Sequence, residues 1–345
     1  MAKFILSKSE LKESYQELLG LGCKVSYSCK TNWEVASVLQ TEEKECEFSV
    51  HNIAEIERIR DKGKVWFFPQ ALSVEKFKEV IGMGVRRFVV DHELDLDNLL
   101  SASEGVGERV DVVLRMKMQE HRVGSGRYFV YGFSSKKVNE LIAKLFGDER
   151  VEKLGVHVHR KSQNTSEWSI VEELEDSLSS EILKKISLFN MGGGMPIEYK
   201  TYSTKVMPYI FDQLKKVREF LEEKEIEFYV EPGRFLAGPC VKLEAEVLQI
   251  FDGTIVLGCS VYNSAIDSMV TNIRMLVEDE LEDSDSDGES YLIKGNTPTR
   301  DDIFRYKVKL KDIGVGSKIV FLNAGAYNYW CDFCSLDKLE TEVVD

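Results

Sequence analysis

Eight short β-rich runs, most of them separated by stretches with helical periodicity, fill the first two thirds of this chain and constrain its fold more than any other feature. The runs cover residues 25–29, 47–50, 65–68, 87–91, 110–115, 154–159, 187–191 and 227–231. Segments such as 53–60, 74–81, 137–146 and 206–222 lie between them and carry apolar residues at helical spacing. Strand alternating with helix implies a parallel sheet. Eight repeats of the unit imply an α/β fold built on a closed (β/α)8 TIM barrel. An open doubly wound sheet would have fewer strands and a glycine fingerprint after the first, and no such fingerprint is present. Beyond about Gly238 the pattern changes. Runs at 241–250, 254–261, 273–277, 291–294, 303–310 and 318–322 read as strands separated by turns, with little helix between them. The expected organisation is a barrel over residues 7–238 and a C-terminal all-β domain over 239–345. The apolar residues 4–6 are a candidate strand for that second domain.

A chain of 345 residues can bury a core in both parts. Its net charge of −14 argues against nucleic acid, whose phosphates call for basic patches. Part of that charge sits in the acidic run 278–289, which lacks the ligand spacing of an EF-hand and reads as a solvated loop. No apolar stretch approaches the roughly 20 residues that span a bilayer, and residues 1–19 do not read as a signal peptide. The seven cysteines are scattered. Cys331 and Cys334 form a lone CxxC with no second pair, so the expectation is no metal and reduced thiols in a cytoplasm.

Barrel enzymes carry their chemistry at the carboxyl ends of the strands, often with a phosphate site after the seventh and eighth. The unusual residues of this sequence fall there. Lys30 ends the first run, and His159 ends the sixth, with Ser162 and Gln163 close behind. Gly192-Gly193-Gly194 follows the seventh run, and Glu231-Pro-Gly233-Arg234 the eighth. Each has a plainer reading. A lysine at a strand end is usually solvated, and a single histidine is usually a hydrogen-bonded core residue. Three glycines serve a loop of positive φ as readily as an anion. Glu231 to Arg234 could be a turn with a surface ion pair. Their convergence on one rim favours function: an amine, a phosphate cradle, an arginine and a buried carboxylate are the parts that a pyridoxal phosphate site requires. A metal-dependent barrel would show several carboxylates or histidines at strand ends, which are not apparent in the sequence.

The motifs Ser26-Tyr-Ser-Cys-Lys30-Thr-Asn32, Gly155-Val-His-Val-His159, Asn190-Met-Gly-Gly-Gly194, Glu231-Pro-Gly-Arg234 and Gly325-Ala-Tyr327-Asn resemble those of the fold-type III pyridoxal-phosphate decarboxylases. Members act on ornithine, lysine, arginine, diaminopimelate or carboxynorspermidine. The motifs occur in family order across nearly the whole chain. The resemblance implies that Lys30 holds pyridoxal 5'-phosphate as a Schiff base, that Glu231 pairs with the pyridine nitrogen, and that His159 stacks on the ring. It assigns the phosphate to Gly192, Gly193, Gly194, Gly233, Arg234, Ser162 and Tyr327. It places Glu55 and Arg115 as polar support near the lysine. A homodimer with a shared active site is implied as well.

Several positions depart from the family pattern. The stretch that carries a proton-donating cysteine in many members reads Gly295-Asn-Thr-Pro298-Thr299-Arg300-Asp301-Asp302 here, and no alignment of it leaves a thiol. Thr299 stands where an acidic substrate contact is usual, and a second acid falls near Cys259 and is missing. Asp267 and Arg274, seven apart, resemble the carboxynorspermidine decarboxylase pattern and suit a substrate bearing an amine and a carboxylate. A turn residue and a strand-edge charge are the plainer readings of that pair. Ser49 replaces a common Asp, and Arg160-Lys161 replaces a small apolar-glycine pair beside the phosphate.

The leading reading is decarboxylation of a basic or polyamine-related amino acid. A second is pyridoxal chemistry of another kind, racemisation or oxidative decarboxylation, motivated by the missing cysteine. A third is a catalytically inactive homologue that regulates a partner, against which the retained Lys30, Glu231 and Arg234 speak. The expected partners are a small-molecule amino acid and a second copy of the chain, with no nucleic acid and no membrane.

Overall fold

The first strand, β1 (Lys3–Ser7), stands outside the eight that follow it in this computed structural model, which describes residues 2–105, 107, 109–118, 131–328 and 330–345. Those eight are β2 (Lys24–Ser28), β3 (Glu47–Val50), β4 (Val65–Phe67), β5 (Arg87–Val90), β6 (Val110–Arg115), β7 (Val151–His157), β8 (Leu188–Asn190) and β9 (Glu227–Val230). Each pairs in parallel with its neighbour in the chain, and β9 returns to β2 with Lys24 opposite Tyr229 and Val25 opposite Val230. The barrel is closed, so no strand edge is left open in it.

The alternation along each strand sorts side chains to two sides. Trp66, Phe68, Val89, Val113, Leu188 and Tyr229 form a small apolar cluster of their own, the plug of the barrel interior. Their neighbours in sequence, such as Phe67, Phe88, Val90 and Phe189, belong to the larger core shared with the surrounding helices. The helix Val74–Gly82 illustrates the outer layer. Ser73 caps it by accepting from the Lys76 amide, and Phe77, Val80 and Ile81 form its buried stripe.

Below the plug, where the strands begin, charges pair with one another. Arg87 meets Glu47 at 2.8 Å and Asp111 at 3.7 Å. Lys24 and Lys153 meet Glu227 at 3.3 and 3.0 Å. One mouth of the barrel is therefore closed by its own ion pairs, and the opposite mouth is left for chemistry.

The second sheet comprises β10 (Val241–Phe251), β11 (Thr254–Leu257), β12 (Leu276–Val277), β13 (Glu289–Lys294), β14 (Ile303–Leu310), β15 (Lys318–Leu322) and β16 (Thr341–Val344). Its main path runs β12-β15-β10-β11-β13-β14, and β1 lies antiparallel to β10 and parallel to β16. Two expected strands come out shorter. The run at 254–261 ends at Leu257, and 273–277 shrinks to Leu276–Val277. Helical turns Val261–Ser264 and Ile266–Val270 stand between them. Ser260 starts the first through a capping box with Asn263, a polar signal that outweighs the β-branched composition. Among the described residues no helix is long and apolar enough to cross a membrane.

The loop after β15 returns to the barrel rim. The Asn32 side chain donates to the Gly325 carbonyl at 2.9 Å, and the Tyr327 amide donates to the Thr31 carbonyl at 3.1 Å. This contact brings the second sheet's loop to the carboxyl ends of the barrel strands.

Candidate active site

A cavity of about 670 Å³ opens at the carboxyl ends of the strands. Lys30, Arg115, His159, Ser162, Gly193, Gly194, Glu231, Gly233, Arg234 and Tyr327 all line it, so ten positions scattered over nearly 300 residues of sequence converge on one space. Gly192 lies just behind, its amide donating to Asn190 Oδ1 at 2.9 Å.

Glu231 follows β9 directly, and the barrel surrounds its carboxylate with donors. Ser49 Oγ donates to Oε1 at 3.1 Å, Asn190 Nδ2 donates to the same oxygen at 2.9 Å, and His157 Nε2 stands 3.2 Å from Oε2. Ser26 lies 2.7 Å from Ser49, and because Ser49 gives its proton to Glu231, Ser26 is the donor in that contact. Burial opposes the charge on Glu231, but His157 and Asn190 prevail and pull its pKa down to about 2. The carboxylate is therefore ionised, and His157 must present its N–H to it through Nε2. That leaves His157 Nδ1 buried without a partner among the described residues. Burial lowers the pKa of His157, which is neutral in this arrangement.

His159, two residues on, faces the cavity. Its ring is parallel to that of His157, with 6° between the planes and 6.5 Å between centroids. Burial, and then Arg115, press its pKa down to about 3, so it presents a flat, uncharged surface at neutral pH. Arg115 is half-buried, carries no acidic partner at contact distance among the described residues, and lies over the ring of Tyr131.

Lys30 sits in the single turn Cys29–Thr31 that follows β2, exposed to the cavity and without a hydrogen bond or ion pair among the described residues. Beside it, Glu55 Oε2 accepts the His51 amide at 2.6 Å and lies 3.6 Å from His51 Nδ1. Despite burial its pKa is lowered by His51, with Lys30 contributing. His51 also lines the cavity, stacked on Phe68 with 5.3 Å between centroids.

The glycine and arginine loops form the other end. Gly192 and Gly194 have φ of +67° and +107°, which L side chains rarely adopt. A Cβ on Gly192 would lie 2.4 Å from the Val158 carbonyl, and one on Gly193 would lie 2.8 Å from the Glu231 carbonyl. On Gly233 it would lie 2.3 Å from Thr31 Oγ1, a buried hydroxyl without a partner among the described residues. The positive-φ reading of the triple glycine therefore holds at Gly192 and Gly194, and the run approaches its protein neighbours too closely for a side chain. Arg234 Nε donates to Ser162 Oγ at 3.0 Å, and Tyr327, itself at a φ of +58°, lies 5.0 Å from the guanidinium. Backbone amides in a cradle, hydroxyls and an arginine suit a phosphate. A free amine and an ionised carboxylate in the same cavity suit the aldehyde and ring nitrogen of a pyridoxal. The residues present fit that cofactor.

Three expected positions are not brought to the cavity of this chain. Asp267 is buried against Arg234, with Oδ2 accepting from Nη1 at 2.6 Å. Arg274 donates to the carbonyls of Ser268 and Ile273 and lies over Tyr306. Thr299 stands in the turn before β14, its amide 3.4 Å from Thr297 Oγ1. Sequence reasoning also passed over contributors: His51, Asn190 and Ser49 received no role at the site. His157 stood inside a quoted motif unassigned, although its spacing of two from His159 already put both rings on one side of the strand.

Residues 8–238 match the family model described as pyridoxal-dependent decarboxylase, pyridoxal binding domain. Among curated relatives, a probable chloroplastic diaminopimelate decarboxylase of Oryza sativa subsp. japonica is 24% identical over 161 residues, which is 43% of this chain and 32% of the relative. The diaminopimelate decarboxylase of Pseudomonas aeruginosa is 22% identical over 251 residues, 67% of this chain and 60% of the relative. The chain thus spans between a third and three fifths of the length of these two relatives. Among solved structures, a Vibrio vulnificus lysine/ornithine decarboxylase complexed with cadaverine superposes with a TM-score of 0.81 at 17% identity, covering 100% of this chain and 95% of that one. A Helicobacter pylori diaminopimelate decarboxylase complexed with L-lysine gives 0.83 at 16%, covering 100% and 92%. At such identities these two show the fold, a barrel followed by a β-domain.

Proposed function

The chain belongs to the pyridoxal-dependent decarboxylase family, and from that membership we propose that it removes CO2 from a basic or polyamine-related amino acid, with Lys30 as the amine that links the cofactor covalently. The observation that carries this reading is the pairing, in one cavity, of an unengaged Lys30 with a Glu231 held ionised by His157, Asn190 and Ser49. Bound there, pyridoxal phosphate supplies an electron sink for the pair of electrons left when a carboxylate departs.

The residues of the chain supply the rest. Glu231 presents a fixed negative charge to the ring nitrogen and keeps that nitrogen protonated. His159 offers a neutral face for stacking. The Gly192–Gly194 backbone, Ser162, Gly233, Arg234 and Tyr327 anchor the phosphate, while Arg115 and Glu55 surround the amine. Lys30 and His51, backed by Glu55, are cavity groups that would be able to return a proton to the substrate carbon in place of the missing thiol. A homodimer completes the reading, as the family resemblance implies, with Asp267, Arg274 and Thr299 standing outside the lining of this chain's own cavity.

The test is CO2 release by the cofactor-loaded protein from ornithine, lysine, arginine, diaminopimelate, 2,4-diaminobutyrate and carboxynorspermidine, with its size in solution measured alongside. One substrate should release CO2, and Lys30→Ala should abolish both release and the borohydride-reducible adduct. An adduct that survives in Lys30→Ala removes the lysine assignment. Bound cofactor with no release from any of the six removes the substrate class, and a fully active monomer removes the two-chain site.

A further inference from the structure

The phosphate end of the cavity has a charge balance that its arginine does not resolve. Arg234 is buried in an ion pair with Asp267, the two side chains only 3% and 6% exposed and the contact 2.6 Å long. The same Nη1 also donates to Tyr199 Oη at 3.0 Å, and Nε is engaged by Ser162. An arginine so held contributes N–H donors but little net charge, because the carboxylate beside it cancels the guanidinium. A phosphate monoester brings between about −1.5 and −2 charges at neutral pH. Glycine amides supply partial charges only.

The loop after β7 holds two further cations, and they differ in their engagements. Arg160 is fully buried and paired with Glu173. Lys161 has no hydrogen bond or ion pair among the described residues, is half-buried, and lines the cavity together with Ser162, Gly193, Gly194 and Arg234. Its carbonyl lies against Gly194, 3.0 Å from where a Cβ would stand, so its backbone is fixed beside the glycine run. A lysine stem of four carbons then places the ammonium within reach of whatever the glycines hold.

We propose that Lys161 supplies the net positive charge for the cofactor's phosphate, and that Asp267 is a positioning residue that orients Arg234 rather than a substrate ligand. This rests on the cofactor reading above. It explains why a lysine stands in a loop where small residues would otherwise let the backbone approach. It also gives Asp267 a task that its buried position permits.

The experiment compares dissociation constants of cofactor-stripped protein for pyridoxal phosphate and for pyridoxal, which lacks the phosphate. Lys161→Met should weaken pyridoxal phosphate about tenfold to a hundredfold, the size of one charge-assisted contact, and leave pyridoxal unchanged. Lys161→Arg should restore the affinity. Equal weakening of both ligands, or no change in either, overturns the role of Lys161 while leaving the cofactor site in place. Wild-type protein that takes up neither ligand overturns the cofactor reading and this inference together. For Asp267, the Asp267→Asn variant should weaken pyridoxal phosphate by loosening Arg234 without changing the spectrum of substrates accepted. A changed substrate spectrum at undiminished cofactor affinity returns Asp267 to the substrate.

Discussion

Two histidines on one strand end divide the work of the site between them. His157 is spent on Glu231, and His159 is kept neutral to face the cavity. The second has a measurable consequence. In the folded chain His159 titrates near 3, while its ordinary value is 6.5, so between these values the unfolded chain binds a proton that the folded chain does not. A depressed pKa of this kind contributes stability that is present above about pH 6.5 and lost as the pH falls toward 3. Cofactor-stripped His159→Gln should therefore lose less melting temperature between pH 7 and pH 5 than wild type does. Identical losses would show that His159 is not held neutral by burial. The residue-scale reading of the sequence singled out Lys30, His159, Glu231 and Arg234 because each sits at a strand end beside a recognisable turn, and all four line the cavity. It did not find Ser49 and Asn190 as Glu231's donors, because the barrel's closure, not any local spacing, brings β3 and β8 to the residue after β9. Asp267 illustrates the same limit: its spacing from Arg274 suggested a substrate pair, while its position against Arg234 depends on how the second sheet meets the barrel.

Strands and helices of the barrel were legible because each buries a run whose composition and length suit only one element. The second sheet was less so. β16 (Thr341–Val344) went unread because its four residues are half-buried or exposed and its strand partner is β1 at the far end of the chain. The loop carrying Tyr327 depends on an element contact of the same long range. A Cβ on Gly325 would lie 1.8 Å from the Ala237 carbonyl, at the end of the short helix that starts with Arg234. Gly325→Ala should destabilise the protein by about 1–3 kcal/mol, the range for forcing atoms into a filled space. It should also weaken cofactor uptake, because the loop that moves is the one bearing Tyr327. An unchanged melting temperature would mean that the approach of loop to helix is looser than described.

At the scale of the whole molecule, the −14 charge is not spread evenly, and the acidic run, exposed along most of its length, is nevertheless tied to a neighbouring strand. It lies along β14, the last strand on the main path of the second sheet, with the Leu281 amide donating to the Lys309 carbonyl at 2.9 Å. Arg305 anchors one end of the run through a two-pronged, buried contact with Glu280, at 3.0 and 2.7 Å. Beyond it, Lys307 meets Asp283 at 2.7 Å, Lys309 donates to the Asp285 carbonyl, and Lys311 meets Asp287 at 3.0 Å, with the charged pairs exposed. Exposed pairs are each worth about 0–1 kcal/mol, and in 1 M salt charges are screened within roughly 3 Å. The run is thus held by a buried pair at Glu280 and, beyond it, mainly by exposed charges. Raising the salt to about 1 M should speed proteolytic nicking within residues 281–288, measured against a free peptide of the same sequence, while the melting temperature scarcely moves; a nicking rate indifferent to salt would show that the run is not held by charge. The open edge of a β-sheet is a place where chains stick to one another, and this protein lays an acidic segment along its own.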